Sequence, residues 1–563
     1  MLRLLAGSAC ALVSFSAASI TALGATPSTT YVTVTNNAPD PETGGRWGER
    51  IVPIGDINGD GVADVVIGDP NATVNGLKWG GRVYVVDGKS LTTGSPTILY
   101  KLTSPNPETL TKFGFFISNI GDINGDQVAD FAVGTDSETS NGLVRQGRVY
   151  IYSGKTGALL RTITDPDSTQ PRARFGSRIG RADQLGDIIV GASATDIPIA
   201  CGAATTLAAD CHKGQGRAYI FNAATGVLIR TLDLPAADQP AATCSANGTC
   251  GSFGLAVQGP GDTDADGIAD QLVSAPGLPN GGSMYVFSNA AVPGDATGQV
   301  RLRIDDPVPQ PGALFGFQDA EPLAPGDVNG DGNADIFGDG FLQNGPAGAG
   351  QGAAWVFDGK TGKVLYTLAD PHPTAGGQFG WSMVKTFYRK GATPDLYVGA
   401  SPHHVAGVLE NGDTNVFDGR DGTLLKSLPL PQAFSNQTPT ETNNGPNLGW
   451  TVAAPGDLNG DGEPDYLAGA PFTDIGQNQD QGIVLLFQSS VPVTPTASAT
   501  PTASPTASAA ATSTSPAQLA LTGGGHRQSN PSPLGWLMLF GALGVALLAV
   551  GAGIPLVRRR REG

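Results

Sequence analysis

An aromatic-glycine pair, once replaced by leucine-glycine, recurs seven times along the chain: Trp47-Gly48, Phe113-Gly114, Phe175-Gly176, Phe253-Gly254, Phe315-Gly316, Phe379-Gly380 and Leu448-Gly449. The glycine intervals are 66, 62, 78, 62, 64 and 69 residues. A second mark sits between these pairs. It reads Gly81-Arg82-Val83-Tyr84 in the first unit and Gly147-Arg148-Val149-Tyr150 in the second, and variants of it begin at Gly216, Gly282, Gly352, Gly412 and Gly482. Two independent marks, each present seven times, divide residues 30–490 into seven units.

Within a unit, short β-branched or aromatic runs are bounded by Gly, Pro, Asn and Asp. In the second, Phe131-Ala132-Val133, then 148–152, then 158–162 after the turn Ser153-Gly154-Lys155-Thr156-Gly157, predict strands and tight turns, about four strands per unit. Four-stranded sheets repeated radially make an all-β, seven-bladed β-propeller, which leaves only short, protected edges. A linear solenoid fits less well, because its repeats are usually shorter and need polar caps. The alternating run 31–35 precedes the first repeat and is expected to pair into the last blade and close the ring. The 80 Gly and 42 Pro among 563 residues, roughly twice the average share, exclude helical bundles and coiled coils. With a formal net charge of −17, the composition argues against a polyphosphate partner and suits cation binding or a solvated surface.

An aromatic-Gly pair followed by Gly-Ala-Pro or a variant (Gly469-Ala470-Pro471, Ser274-Ala275-Pro276, Gly399-Ala400-Ser401) resembles the FG-GAP repeat. That repeat builds the seven-bladed head of integrin alpha chains and occurs in bacterial surface proteins. The resemblance covers nearly all of 30–490 and implies a surface propeller that binds a protein or glycan ligand.

Five units carry an acidic loop of the form D-x-[DN]-x-D-x-x-x-D. The expected metal positions are Asp56, Asn58, Asp60, Val62 and Asp64; Asp122, Asn124, Asp126, Val128 and Asp130; Asp262, Asp264, Asp266, Ile268 and Asp270; Asp327, Asn329, Asp331, Asn333 and Asp335; and Asp457, Asn459, Asp461, Glu463 and Asp465. Clustered oxygen side chains repel one another unless a cation neutralises them. Hard oxygen ligands at positions one, three, five and nine, with the carbonyl of position seven, suit Ca²⁺, giving about five sites. Gly at position six permits the sharp turn, and Gln127 replaces it in the second loop. An EF-hand would place Glu at position twelve, where Ile67, Val133, Val273, Gly338 and Ala468 stand, and dockerin loops come as a close tandem pair. Polar turns without metal are the remaining alternative. Units three and six, with Arg181 and with Arg389 and Lys390 in place of the acidic array, are not expected to bind metal.

The ends read as addresses. Arg3 and the apolar run after it predict a secretory signal over 1–25, with small residues near the cleavage point. Residues 491–530, rich in Pro, Thr, Ser and Ala, read as an extended stalk. The apolar stretch 534–557 is long enough to span a bilayer, and the basic tail 558–563 is expected on the cytoplasmic side. Leu519-Ala520-Leu521-Thr522-Gly523, this apolar stretch and the Arg tail together resemble a sortase sorting signal, with Ala520 where the commoner form has Pro. The resemblance implies a sortase-type transpeptidase as partner, cleavage between Thr522 and Gly523, and wall attachment on a Gram-positive-type bacterium. The alternative is a permanent membrane anchor.

Cys201, Cys211, Cys244 and Cys250 form an even set outside the signal and imply disulfides. Of three possible connectivities, Cys201–Cys211 and Cys244–Cys250 close the shortest loops. No H-E-x-x-H or G-x-S-x-G occurs, and Gly348-Ala349-Gly350-Gln351-Gly352 lacks a following helix pattern, so it reads as a blade turn. A non-enzymatic, adhesive surface protein is therefore expected. An extracellular propeller enzyme and a structural wall protein are the alternatives.

Overall fold

The structure is a computed structural model that describes residues 30–183, 186–194, 215–239, 251–288, 299–317, 325–388, 393–401, 411–434 and 445–490. These form an all-β, seven-bladed propeller in which a single 3₁₀ turn, Gly88–Thr93, is the one helix among the described residues. In each blade, successive antiparallel strands run from the inside outward. The second blade orders Phe116–Gly121, Asp130–Thr135, Arg148–Tyr152 and Leu159–Thr164, matching the runs expected from sequence. Blade five shows three described strands, Ile336–Asp339, Ala354–Phe357 and Val364–Leu368. An isolated Gly326–Asp335 bridge lies just inside them.

The N-terminal strand Tyr31–Asn37 pairs antiparallel with Ile483–Ser489 as the outermost strand of blade seven, in the register Tyr31 to Ser489 through Asn37 to Ile483. The closure expected from the run 31–35 is therefore present. Asn36, fully buried, ties this strand onward to blade one. It donates to the Leu91 carbonyl at 3.1 Å, and its own carbonyl receives the Trp47 indole N–H at 3.3 Å.

Seven apolar clusters fill the seven gaps between neighbouring blades. Trp47, Ile67 and Tyr84 meet Leu467 and Leu486 across the closing gap, and Leu272 and Met284 meet Phe315 and Trp355 between blades four and five. The aromatic of each marked pair packs on the third strand of its own blade. Examples are Phe113 with Tyr150 and Tyr152 at 6.3 and 6.2 Å, and Phe253 with Tyr285 and Phe287 at 6.0 Å each.

The aromatic-glycine pair recurs because it is the middle of a turn. The residue after the glycine donates its N–H to the carbonyl of the residue before the aromatic in every blade, from Glu49 to Arg46 (3.1 Å) round to Trp450 to Asn447 (3.2 Å). Glycine at the third position, with φ between 79° and 98°, makes this a type II turn. The aromatic's own N–H crosses to the previous blade, as in Phe175 to Gln146 O (2.8 Å) and Trp47 to Gln481 O (2.9 Å). The next residue in that previous blade is the glycine of the second mark. A Cβ on Gly147 would stand 2.0 Å from Phe175 O. The two sequence marks are thus the two halves of one joint between blades. On the rim, outer strands reach over the following blade's turn: Tyr100 donates to Lys155 O, Arg161 to Thr225 O at 2.9 Å and Arg230 to Ser288 O at 3.1 Å.

Candidate functional site on the loop face

Because the strands alternate direction, the acidic loops, which join first to second strands, lie on the opposite face from the aromatic-glycine turns. Within each loop the side chains cap the loop's own amides. Asp56 Oδ1 accepts from Gly59 N (2.6 Å) and Asp60 N (3.2 Å), and its Oδ2 accepts from Gly61 N (2.8 Å). Asn58 Oδ1 accepts from Asp60 N (2.9 Å) and Asp60 Oδ1 from Val62 N (2.9 Å). The same pattern recurs at Asp122, Asp327 and Asp457, with 2.6–2.9 Å bonds to the fourth and sixth amides. These N–H groups, the Gly61 amide foremost, hold the exposed Asp56 carboxyl below its usual range.

Position six is left-handed in every loop: Gly61, Gly267, Gly332 and Gly462 have φ 86–88°, and Gln127 adopts φ 67°. The second loop therefore keeps its path without glycine. Position four is left-handed as well, at Gly59, Gly125, Gly330 and Gly460 and at Ala265 (φ 61°), a requirement that the motif alone does not reveal.

The ninth residue plays a part that sequence reasoning missed. Asp64, Asp130, Asp335 and Asp465 are fully buried and pin the loop to the rest of the blade. Asp465 Oδ2 accepts from Leu458 N (2.7 Å), and its Oδ1 from Ser489 N (2.9 Å) on the last strand. Asp64 does the same with Ile57 N (2.9 Å) and Gly88 N (3.0 Å). Burial pushes Asp335 and Asp465 up to about 6.

The loop of blade four differs. Asp262, Asp264 and Asp270 bring carboxylate oxygens within 4.8 Å of one another, the single such grouping among the described residues. Asp270 Oδ1 is buried without a hydrogen-bond partner, an orphaned acceptor that a cation fits. A second difference opposes the first. Arg301, from the outer strand Gln299–Asp305, places Nε 3.6 Å from Asp264 Oδ2 and 3.7 Å from Asp270 Oδ2, while its Nη2 donates to Gly359 O (2.7 Å) in blade five. In the other four loops Asn stands at position three and supplies a neutral oxygen.

Among the described residues of the corresponding turn in blade three, Arg181 Nε donates to Asp183 O (2.9 Å) and Asn222 Nδ2 to Asp187 Oδ1 (3.0 Å). Arg389 and Lys390 of blade six, Cys201, Cys211, Cys244 and Cys250, His403 and His404, and Leu519, Ala520, Thr522 and Gly523 all lie outside the described residues. So do the signal, the stalk and 534–557; among the described residues no helix is long and apolar enough to cross a membrane. His372 is exposed and pairs through Nδ1 with Asp413 at 2.6 Å. The glycine-rich run at 348–352 belongs to a blade loop closed by a Gly345–Gly348 bridge.

On the face of the aromatic-glycine turns, residues next to those pairs, with Phe472 just after the strand Asp465–Ala470, form a packed belt of rings and guanidinium groups. Phe317, Trp381, Trp450 and Phe472 succeed one another at 5.7, 4.9 and 5.1 Å. Arg46 lies over Phe472 (4.3 Å), and Arg178 over both Phe116 (4.9 Å) and Phe317 (5.8 Å). Trp381, Trp450 and Phe472 are buried, so the belt is packing rather than an open ligand cup.

Residues 50–86, 113–152 and 448–487, in the first, second and last blades, match the FG-GAP repeat. The chain is similar to integrin alpha-3 of Cricetulus griseus, 37% identical over 122 residues, which is 21% of this chain and 10% of that protein. Integrin alpha-PS3 of Drosophila melanogaster is 33% identical over 127 residues, 22% and 10% of the two chains. Phosphatidylinositol-glycan-specific phospholipase D of Bos taurus is 35% identical over 113 residues, 20% and 12%. The chain thus spans about a tenth of the length of the relatives it matches. The fold is a seven-bladed β-propeller similar to that of integrin alpha chains, with FG-GAP repeats matched in its first, second and last blades.

Proposed function

We infer that the chain is a calcium-stabilised surface propeller that binds a protein or glycan ligand without catalysing a reaction. The observation that carries this is the pairing of integrin-alpha-like repeats with five acidic loops on one face of a closed ring. Where Ca²⁺ binds, Asp56, Asn58, Asp60 and the Val62 carbonyl, and their counterparts in the other four loops, would hold it, with Asp64 and its counterparts fixing the loop. The ion supplies charge neutralisation, and its role here is structural. The apolar stretch 534–557 and the Leu519–Gly523 motif support display at the cell surface, with wall transfer through Thr522 after cleavage before Gly523. The full chain applied to a glycan and matrix-protein array, with and without calcium, tests the reading. Specific retention is expected, and no retention of any ligand would overturn it.

Similarity to a phospholipase D supports a second reading, an extracellular hydrolase. Release of a phosphorylated head group from phospholipid vesicles by the purified chain would favour it over adhesion.

A further inference from the structure

The face opposite the acidic loops carries a different charge across its first three blades. Lys78, Arg145 and Arg172 are exposed there and Lys112 is half-buried. Among the described residues none of the four is paired with a carboxylate. Of the acids of this region, Glu138 is buried against Thr135 and Tyr150, Asp136 is buried and taken by Arg174 at 2.6 Å, and Glu108 and Asp167 are half-buried. Backbone hydrogen bonds make the patch continuous. Leu110 N meets Lys78 O (3.1 Å), Lys112 N meets Trp79 O (2.8 Å), Arg172 N meets Val144 O (2.9 Å) and Arg174 N meets Arg145 O (3.3 Å). Glu108 Oε2 accepts from Thr139 N (3.2 Å) and links the two halves. Trp79 stands in the patch with 47% of its surface exposed.

The backbone adds an independent observation at Arg172. It is left-handed, φ 64°, as is Leu110 (φ 70°) at the matching position of the preceding joint, where three other joints have Gly44, Gly312 and Gly376 at 74–83°. A Cβ is disfavoured in that conformation. The guanidinium has no partner among the described residues, so it repays nothing to the fold. A strained, exposed, unpartnered cation is the kind of residue kept for a ligand.

We propose that this face of blades one to three binds an acidic polysaccharide, which rests on the adhesive reading above and names its ligand class. Guanidinium forks match carboxylate and sulfate groups, and an exposed indole offers a flat surface to a sugar ring. A protein partner would ask for a desolvated apolar centre, and the exposed apolar groups here are a lone indole and Val144. The net charge of −17 does not oppose this locally. Strands of five or six residues put the faces roughly 17–20 Å apart, and salt screens charges beyond about 8 Å.

The full chain at fixed calcium is titrated with heparin and with polygalacturonate as probes. Dextran, poly-glutamate and single-stranded DNA are run beside them. Binding of either acidic polysaccharide is expected, weakening at least about tenfold between about 50 and about 300 mM NaCl. Arg145→Glu with Arg172→Glu should abolish it, Trp79→Ala should weaken it severalfold with the salt dependence kept, and dextran should not bind. Arg172→Gly should raise the melting temperature while weakening binding, which separates ligand from fold. Unchanged binding by the double variant, no binding of either polysaccharide, or equal or tighter binding of poly-glutamate or DNA overturns the proposal. An array ligand indifferent to Arg145 and Arg172 overturns it too, yet leaves the adhesive reading standing.

Discussion

Gly482 of the last blade lies against Trp47 of the first, so close that a Cβ on the glycine would stand 2.3 Å from the Trp47 carbonyl oxygen. The same approach joins Gly147 to Phe175 and Gly412 to Leu448, at 2.0 Å each. Position 482 is also left-handed, φ 82°. Gly482→Ala therefore adds strain to overlap and is expected to cost about 2–5 kcal/mol. Gly59→Ala meets the same backbone demand with nothing within 4 Å, so it should cost only about 1–2 kcal/mol. Urea unfolding of both variants at saturating calcium checks the difference. Equal losses would show that the joint's closeness does not matter.

The ring is clasped by its first strand. Removing residues 30–37 should free the outer edge of Ile483–Ser489 and cause concentration-dependent association, visible by light scattering. Asn36→Ala is milder. It leaves the buried Leu91 carbonyl without its donor, while the Trp47 indole keeps its bond to the main-chain carbonyl of residue 36, and should cost about 1–3 kcal/mol while the chain stays monomeric.

Seven blades and their closure were legible because the marks are local: a type II turn needs its glycine wherever it occurs. The joining of Gly147 to Phe175 was not legible, because register between blades is a tertiary fact. Gln127 and Arg172 hide left-handed backbone behind residues that give no such signal, and the surroundings impose it. The acidic loops announced their oxygen atoms, yet the motif did not distinguish Asp64 as a buried pin from Asp60 as an exposed rim residue. Arg301 reaches the fourth loop from an outer strand on the far side of a further strand, which no spacing rule foresees.

Asp69 ends the second strand of blade one, almost wholly buried, with Oδ1 unpartnered and Arg82 4.0 Å from Oδ2. Burial, and then the charge of Glu42, push it up to about 8. Since the folded value exceeds the unfolded value of about 4, its contribution is complete below about pH 4 and is lost as pH rises through about 8. Asp69→Asn should remove that loss. At saturating calcium the variant should gain on the wild type as pH rises, by about 1–3 kcal/mol at pH 8. A stability difference independent of pH would show that Asp69 ionises normally in the fold.

Calcium should raise the melting temperature and a chelator lower it, because an ion bound only by the folded loops adds RT ln(1 + [L]/Kd) per site, about 2.7 kcal/mol at 100 times Kd. Asp60→Ala tests ligation better than Asp64→Ala, since Asp60 is exposed and gives the fold one amide bond, whereas Asp64 anchors two segments. Calorimetry should count one ion fewer for Asp60→Ala, and no change for Asp187→Ala in blade three. Loop four sets charge against charge. Arg301 stands 3.6 Å from Asp264 and 3.7 Å from Asp270, where an incoming cation would feel its repulsion. Two unit charges about 4 Å apart in a water-like medium repel by about 1 kcal/mol. Arg301→Gln should therefore tighten the loop-four calcium site about fivefold and leave the other sites unchanged. If the affinity of every site stays fixed, or the loop-four site loosens, Arg301 supports that loop instead of competing for it.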